Sequence, residues 1–309
     1  MAKMACEYLE GATPPIGCKG LSGSTNWFLL AEFPKMFTSR SHKLFTFVPR
    51  GTLLVATVLF LGILLGCSEG RKGNELVVGM DLSYPPFETI DAKGQAVGVS
   101  VELAEALAKD LGRPLRIENI PFTGLILSLQ NKRIDCVISS MTDTPERRNV
   151  IGFSDPYLST GLALLVNARS DAQSLADLDK SGKTVVVRLG TTGETWAREN
   201  IKNATVVAMD KENTAVLEVI QGKADAFIYD QMSVWKNQQQ NPDKTRALLA
   251  PVRKEEWAIA VRKDDEALKT QINAFLKKFR TEGGFDRLAN EYLKDQKEAF
   301  QKQNIPFYF

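Results

Sequence analysis

A run of hydroxyl side chains followed by two arginines, in residues 138–148, has the composition of a binding site for a carboxylate. Its sequence, ISSMTDTPERR, contains Ser139, Ser140, Thr142, Thr144, Arg147 and Arg148. Thr144 and Pro145 are residue types favoured at the N-cap and the first position of a helix, which places Arg147 in the first turn. A guanidinium there can grip a carboxylate with two parallel hydrogen bonds, and the hydroxyls can add donors. A solvated loop with a surface ion pair is the alternative.

Two segments further along the chain can supply the rest of such a site. RLGTTGE, residues 188–194, places Thr191 and Thr192 between glycines at a predicted helix N-terminus, where free N–H groups favour an anion. An ordinary helix cap is the alternative for this motif. Asp230 ends a predicted strand, and its carboxylate can either pair with an ammonium group or cap the following helix. Arg147, Thr192 and Asp230 together match the carboxylate and ammonium of an α-amino acid. Burying both ions is costly unless each is paired and hydrogen-bonded.

Composition and charge exclude several function classes. The chain has 309 residues, 44% hydrophobic and 25% charged, as in an ordinary globular protein. Six of its 39 lysines and arginines and three of its 37 aspartates and glutamates lie in residues 1–66. The rest of the chain therefore has 33 basic and 34 acidic residues, and this balance argues against nucleic acid as a partner. The single histidine, His42, also lies there, so the rest of the chain lacks the usual general base and the commonest metal ligand. Cys136 is the one thiol after Cys67, and we expect it to be a small buried residue. We expect no disulfide within this part of the chain, and no bound metal or cofactor.

The first 66 residues end in a predicted export signal. Residues 51–66 carry no charge and follow several basic residues, as in a secretory signal peptide, and the run is shorter than the roughly 20 residues that span a bilayer. It ends in LLGC, which resembles a bacterial lipobox and predicts acyl chains on Cys67; a transmembrane anchor is the alternative. Residues 1–35 do not fit a signal peptide, and Met36 is a natural start. We therefore expect an exported protein held at the cell envelope through a lipidated linker, residues 67–74.

Strand and helix patterns alternate after this linker. Buried strands are predicted for ELVVGM, DCVIS, TVVVRL and DAFIY. Helices are predicted near 100–111, 123–130, 193–202, 214–221, 265–281 and 285–296, and Ser100 is the predicted N-cap of the first. Alternation of this kind indicates an α/β fold in which parallel sheets are flanked by helices.

One local unit occurs twice, in LSLQNKRIDCVISS and LEVIQGKADAFIYD. Both copies predict a helix, a Gln-x-Lys turn, an aspartate, a buried strand and then polar residues, and they lie about ninety residues apart. Ligands of open α/β sheets bind beyond the carboxyl ends of strands, so two facing strand ends would form a cleft between two lobes. We expect lobe 1 to comprise residues 75–160 and 254–309, and lobe 2 to comprise 161–253, because the late segment EEWAIAV has no partner left in lobe 2.

Four stretches, by their order and spacing, point to one protein family. They are GMDLSYPPFE, PFTGLILSLQNKRIDCVISSMTDTPERRNVIGFSDPY, RLGTTGE and ADAFIYDQ. From about Glu75 to Leu293 the chain resembles the amino-acid-binding family of bacterial ABC-transporter substrate-binding proteins, of the polar amino acid type. The resemblance implies a two-lobed periplasmic-binding-protein-like fold, with a mostly parallel sheet in each lobe and a cleft between the lobes. It also implies closure by a hinge, with chain crossings near 159–164 and 251–256.

The resemblance implies a role for each candidate site residue. The candidate ligand-binding residues are Asp81, Tyr84, Phe122, Ser139, Ser140, Thr142, Arg147, Thr191, Thr192 and Asp230. Arg147 would grip the ligand carboxylate and Asp230 would hold the ammonium, with hydroxyl groups adding hydrogen bonds to each. Tyr84 and Phe122 would sandwich the ligand side chain. Asp81 would reach its polar end, and an anchor for the turn before Pro85 is the alternative.

An enzyme is the main alternative, because a few dehydratases acting on precursors of aromatic amino acids resemble this same fold. Asp81 or Glu194 could serve as the acid in such a reaction, which needs a carboxyl with a raised pKa. The complete clamp for a carboxylate and an ammonium favours binding without catalysis. DKSGKT ends like a P-loop, but Asp177 stands where that motif needs glycine, and Thr184 opens a strand, so we reject nucleotide binding. A sensor domain that acts through a partner protein is the third alternative.

We therefore expect a lipid-anchored, monomeric receptor, and not an enzyme, that delivers a polar or basic L-amino acid to an ABC-transporter permease in the membrane. The identity of that amino acid stays open. Gly193 stands where several members of the family carry a larger polar residue, which predicts fewer side-chain contacts from lobe 2.

Overall fold

The computed structural model describes residues 73–307 and residue 309. The predicted export signal and Cys67 lie outside this part of the chain, so the lipid anchor stays a prediction. Within the described residues, no helix is both long enough and apolar enough to cross a membrane.

Strands and helices alternate through most of the described chain. The strands are β1 (Leu76–Met80), β2 (Ser83–Tyr84), β3 (Glu88–Ile90), β4 (Ala96–Val97), β5 (Leu115–Asn119), β6 (Cys136–Val137), β7 (Ile151–Asn167), β8 (Thr184–Arg188), β9 (Thr205–Met209), β10 (Ala226–Asp230) and β11 (Thr245–Arg262). The helices are α1 (Val99–Asp110), α2 (Leu125–Gln130), α3 (Pro145–Arg148), α4 (Leu175–Leu178), α5 (Thr192–Asn200), α6 (Glu212–Ile220), α7 (Gln231–Gln240), α8 (Glu266–Thr281), α9 (Gly284–Tyr292) and α10 (Lys294–Lys302). A single 3-10 turn, Phe122–Gly124, precedes α2.

Eight of these strands form one sheet, in the order β5-β1-β6-β11-β7-β10-β8-β9. The strands of each outer part pair in parallel, β1 with β5 and β6, and β8 with β9 and β10. Such strands are buried on both faces, which accounts for the continuous apolar runs of β1 and β10. The predicted α/β fold with parallel sheets and helices is confirmed. β2, β3 and β4 add a small antiparallel sheet that the sequence patterns did not indicate.

Two long antiparallel strands, β7 and β11, lie in the middle of the sheet and contribute to both of its halves. At one end β11 pairs with β6, Ala260 opposite Val137, and β7 pairs further along with β10, Leu162 opposite Asp230. The β7–β11 ladder is interrupted between the pairs Leu248–Leu164 and Arg253–Leu162.

Gly161 is required where the two long strands come close together. A Cβ atom at this position would lie 2.6 Å from Pro251 Cβ and 2.8 Å from the Arg253 carbonyl oxygen. Any larger side chain would therefore push β11 away from β7. The two predicted hinge crossings lie side by side here, since Ser159 pairs with Glu256 and Thr160 with Glu255.

Two details of the predicted helices are wrong. The N-cap of α1 is Gly98, not Ser100, and Ser100 lies inside the helix with its hydroxyl bonded to Glu88. Gly98 has φ +120°, and a Cβ there would lie 2.5 Å from the carbonyl oxygens of Pro86 and Phe87, so the chain needs glycine at this entry. The C-terminal helix predicted near 285–296 is two helices, α9 and α10, which meet at Leu293.

The two copies of the repeated unit have the same construction. In the first, the Asp135 carboxylate accepts a hydrogen bond from the backbone N–H of Val77, 3.0 Å away, and so fixes the start of β1. In the second, Asp225 accepts one from the N–H of Thr184, 2.8 Å away, at the start of β8. Each aspartate therefore ties its own turn to the neighbouring parallel strand. Cys136, next to Asp135, is fully buried as predicted.

Candidate functional site

The polar residues that follow the strand ends of both halves line one cavity. All ten predicted ligand-binding residues are among its lining: Asp81, Tyr84, Phe122, Ser139, Ser140, Thr142, Arg147, Thr191, Thr192 and Asp230. The sequence prediction had not included six others: Glu88, Leu162, Arg188, Tyr229, Glu255 and Trp257. The cavity thus lies where the strand-end argument placed it, between the carboxyl ends of β1 and β6 on one side and of β8 and β10 on the other.

Arg147 lies in the first turn of α3, as predicted. Thr144 is the N-cap and its Oγ1 accepts a hydrogen bond from the Arg147 N–H at 3.2 Å, with Pro145 in the first helical position. The guanidinium donates to the Thr142 carbonyl at 2.7 Å and, across the cleft, to the Gly190 carbonyl at 3.2 Å. Burial lowers its pKa to about 10, so the side chain is still a cation at neutral pH. Arg148 is exposed and pairs with Asp143.

The Arg147 guanidinium lies over the ring of Phe122. Arg147 Cζ lies 5.5 Å from the centre of the Phe122 ring, a cation–π distance, and Arg188 Cζ lies 5.7 Å from the same ring. One aromatic ring therefore contacts both arginines of the cavity.

Asp81 directly follows β1 and forms an ion pair with Arg188, the last residue of β8. Asp81 Oδ2 also accepts the N–H of Phe122 at 2.9 Å, and Oδ1 accepts the hydroxyl of Ser83 at 2.6 Å. Arg188 is 3% exposed, and its Nη1 donates to the Tyr229 hydroxyl at 3.0 Å. The carboxylate expected to reach a ligand thus already has a buried cationic partner across the cleft.

Asp230 has two structural partners as well as its place in the cavity. Its Oδ1 accepts the Ser233 N–H at 3.0 Å, which makes Asp230 the N-cap of α7, and also accepts the Tyr84 hydroxyl at 2.7 Å across the cleft. Asp230 therefore caps the helix, as one of its two predicted roles requires, and it also lines the cavity, while its pairing with an ammonium group stays a prediction. Burial raises the pKa of Asp230 to about 7.

Glu88 is a buried carboxyl surrounded by hydroxyl groups. Ser100 donates to Oε2 at 2.6 Å, Ser140 donates to Oε2 at 3.1 Å, and Ser139 donates to Oε1 at 3.1 Å. Burial raises the pKa of Glu88 to about 8, although the three hydrogen bonds favour its ionised form. Ser140 reaches this carboxyl from a left-handed backbone conformation, φ +49°, which is uncommon for a residue other than glycine.

A second buried carboxylate, Glu255, lies on β11 at the edge of the cavity. Thr142 donates its hydroxyl to Oε2 at 3.1 Å, and Arg253 donates to Oε1 at 2.5 Å. Glu255 is thereby neutralised by a neighbour on its own strand, and Thr142 is oriented by it.

RLGTTGE forms the entry to α5, and Thr191 is its N-cap. The Thr191 hydroxyl donates to the Arg188 carbonyl at 2.7 Å. Glu194, which could have been an acid, is not part of the cavity lining; it accepts the Gly190 N–H at 2.7 Å and pairs with Arg198. A Cβ at Gly193 would lie 2.9 Å from the Ile228 carbonyl oxygen, so glycine lets α5 approach β10 closely.

Residues 76–295 match the sequence profile of the bacterial extracellular solute-binding proteins, family 3. The chain belongs to this family.

Individual members and one solved structure agree with this assignment. The chain is similar to the arginine-binding extracellular protein ArtP of Bacillus subtilis, with 32% identity, covering 79% of this chain and 98% of that protein. It is similar to the L-cystine-binding protein TcyJ of Escherichia coli, with 29% identity, covering 79% of this chain and 93% of that protein. The crystal structure of the ancestral amino acid-binding protein AncCDT-1, a precursor of cyclohexadienyl dehydratase, is 34% identical, with a TM-score of 0.67, covering 72% of this chain and 96% of that one. The two-lobed fold is thus shown.

The family resemblance did not point to Arg188, Glu88 or Glu255, and local patterns hide them. Arg188 ends an apolar strand, Glu88 follows a proline turn, and Glu255 lies in a run of four charged residues, RKEE. One signal could have found Arg188, because it stands at the carboxyl end of a buried parallel strand, the same kind of position as Asp230. Within the described residues, no cluster of three or more His, Cys, Asp or Glu side chains could hold a metal ion.

Proposed function

We propose that this solute-binding protein captures a polar or basic L-amino acid outside the cytoplasm and delivers it to the permease of an ABC importer. The observation that carries the proposal is the opposition of Arg147 and Asp230 in one cavity, each on a different side of the cleft. An α-amino acid carries the complementary carboxylate and ammonium. Among the described residues, both hydrogen bonds to Asp230 are made to Oδ1, which leaves Oδ2 for the ligand's ammonium.

The site also supports a ligand-driven closure. Arg147 donates to the carbonyl of Gly190, and Tyr84 donates to Asp230, so groups from both sides of the cleft meet around the cavity. A ligand that contacts both sides favours the closed form by its differential affinity for that form. We place lobe 1 at residues 75–160 and 254–309 and lobe 2 at residues 161–253, with β7 and β11 as the hinge. Small-angle scattering with and without ligand tests this, since closure decreases the radius of gyration.

A dehydratase is the second candidate, and one observation favours it. Glu88 lies in the cavity with a pKa of about 8, so it is mostly protonated at neutral pH, as a general acid must be. Its carboxyl, however, accepts hydrogen bonds from three hydroxyls, and the charges of Arg147 and Asp230 are complementary to those of an amino acid. We propose binding without catalysis.

A lipid anchor at Cys67 would keep the receptor beside its permease. It is supported by the uncharged run at residues 51–66 and by the LLGC sequence that ends it. Cys67→Ser is expected to move the protein from the membrane fraction to the soluble fraction. Retention of the variant in membranes would instead indicate a transmembrane anchor.

We propose that the receptor is a monomer. Sedimentation of the same preparation tests this by measuring its mass.

The deciding experiment is a calorimetric titration of the full chain, freed of bound ligand by unfolding and refolding. The titrants are the twenty amino acids, ornithine and prephenate. Tight binding of one or a few amino acids is expected. Heat that continues to flow with prephenate, without binding of any amino acid, would identify an enzyme and contradict the proposal.

A further inference from the structure

Arg188 places a second cation in the cavity, and this one is buried, at the end expected to receive the ligand side chain. Its guanidinium pairs with Asp81, donates to Ser83 at 3.3 Å and donates to Tyr229 at 3.0 Å. Its Nε is buried and makes no hydrogen bond to any described residue. The subsite around Asp81 therefore carries one negative and one positive charge, together with an N–H donor that still needs an acceptor.

A basic ligand side chain is poorly matched to this pair. Asp81 already accepts three hydrogen bonds, from Arg188, Ser83 and the Phe122 N–H. A ligand ammonium or guanidinium would have to displace Arg188 from the Asp81 carboxylate or share that carboxylate with it. Either arrangement leaves two buried cations for one anion, and like charges in a low-dielectric site repel strongly.

An acidic side chain is mismatched in the opposite sense. A ligand carboxylate can pair with Arg188, but it then faces Asp81 in the same subsite. The side chain that satisfies both partners is neutral overall and carries one acceptor for Arg188 and one donor for Asp81. An amide has this chemistry, and so does a distal zwitterionic group such as the second half of cystine.

We infer that Arg188 is a specificity-determining residue that selects amino acids with a net-neutral side chain, bearing both a donor and an acceptor, over basic ones. This inference rests on the proposed function and narrows its ligand class. Arg147 keeps the role of binding the α-carboxylate, because it donates to carbonyls and does not pair with a carboxylate of the cavity.

The test compares ligand preferences of the full chain by calorimetry, with glutamine, asparagine and cystine against arginine, lysine, ornithine and glutamate. The unaltered chain is expected to bind an amide or cystine about tenfold or more tightly than any basic amino acid. Glutamine and cystine as separate titrants decide between the amide and the zwitterion.

Variants then assign the preference to Arg188. Arg188→Met removes the cation and leaves Asp81 unpaired, so the ratio of affinities should shift towards arginine by about tenfold or more. Arg198→Met, an exposed arginine of α5 outside the cavity, is the matched control and should keep the original ratio. Asp81→Asn serves if Arg188→Met does not fold, and it should shift preference from glutamine towards glutamate, because Arg188 is then the unpaired ion.

A basic amino acid as the tightest ligand of the unaltered chain would overturn this inference and leave the proposed function intact. An unchanged preference in a folded Arg188→Met variant would do the same. No binding of any of the twenty amino acids, of ornithine or of cystine would overturn the proposed function and the inference together. Binding only of an amino acid outside the seven compared here would overturn the inference alone.

Discussion

The two copies of the repeated unit share a scaffold but end in opposite chemistry. In both, an aspartate of the turn accepts a backbone N–H from the neighbouring parallel strand, Asp135 from Val77 and Asp225 from Thr184. After the strand the copies differ. The first continues into Ser139 and Ser140, which donate hydroxyl hydrogen bonds to Glu88. The second ends in a carboxylate, Asp230, which accepts hydrogen bonds from the Tyr84 hydroxyl and the Ser233 N–H.

The turn aspartates that the copies share determine where each strand ends. The unlike residues after the strand determine the charge at that end. Because both scaffolds deliver a strand end to the same cleft, a donor-rich end opposes an acceptor end. This opposition of a donor end and an acceptor end is the arrangement that we propose binds a zwitterion. The scaffold aspartates and the proposed ligand-binding residues are different side chains, so each set can be altered alone.

The largest expected effect is on Asp230, which ends the second copy, and on Arg147, which follows shortly after the first. Arg147→Ala or Asp230→Asn should weaken amino-acid binding about a hundredfold or more, because a buried ligand charge is left unpaired. Asparagine caps helices as well as aspartate does, so Asp230→Asn should keep the fold. Calorimetry measures the affinity and circular dichroism checks folding. Binding within a fewfold of the unaltered chain in either variant would show that Arg147 and Asp230 do not clamp the ligand.

Substitution of the scaffold aspartates should affect stability and not affinity. Asp135 is 4% exposed and also pairs with Arg113 at 3.1 Å, so Asp135→Ala should lower the free energy of unfolding by about 2–3 kcal/mol. Asp225 is more exposed, and Asp225→Ala should cost about 1 kcal/mol. Denaturant unfolding measures both. Equal losses, or a large loss of ligand affinity, would contradict the division between scaffold and site.

The acceptor end should make binding depend on pH. Asp230 has a pKa of about 7 in the folded protein, above its usual value, so it is increasingly protonated as the pH falls below 7. A ligand ammonium requires the ionised form. Affinity should therefore rise with pH up to about 7 and then level, with a loss approaching about tenfold per pH unit below it. Titrations between pH 5.5 and about 8 give the slope, and a similar slope in Asp230→Asn would assign it to another group.

The smallest expected effect concerns the turns of the two copies. Gly222 has φ +74°, and its first-copy counterpart, Lys132, has φ +59°. Gly222→Ala should cost about 1 kcal/mol, because a Cβ is strained in this conformation although a Cβ there meets only the Asn167 side chain, 3.7 Å away. Thermal unfolding measures the change. No change would show that the second turn tolerates a side chain as the first one does.

The sequence was sufficient for the site residues that follow from strand ends. Ser139, Ser140 and Asp230 could be placed together because parallel strands end at one edge, whatever the distance along the chain. Thr144 and Pro145 placed Arg147 because helix capping is local. The N-cap of α1 was misplaced because Ser100 has the right type, while the decisive contacts of Gly98 involve carbonyls eleven and twelve residues earlier along the chain.

The pairs across the cleft could not be predicted in the same way. Arg188 and Asp81 are separated by 107 residues, and Tyr84 and Asp230 by 146. No local pattern records which strand end faces which, or that a charge beside an apolar run will be buried and paired. Glu88 was hidden for the same reason, because two of its three hydroxyl partners are more than fifty residues away.

The interruption between β7 and β11 has a mechanical consequence. Between the last pair on one side, Leu248–Leu164, and the first on the other, Arg253–Leu162, β11 has four residues and β7 has one. Four residues can extend about 13 Å, but the opposite strand fixes a far shorter step. Pro251, one of these four residues, also has no N–H that could donate a hydrogen bond to a neighbouring strand. We propose that the shorter strand acts as the pivot while the longer one supplies the extra length, so that the lobes rotate without breaking the hydrogen bonds on either side.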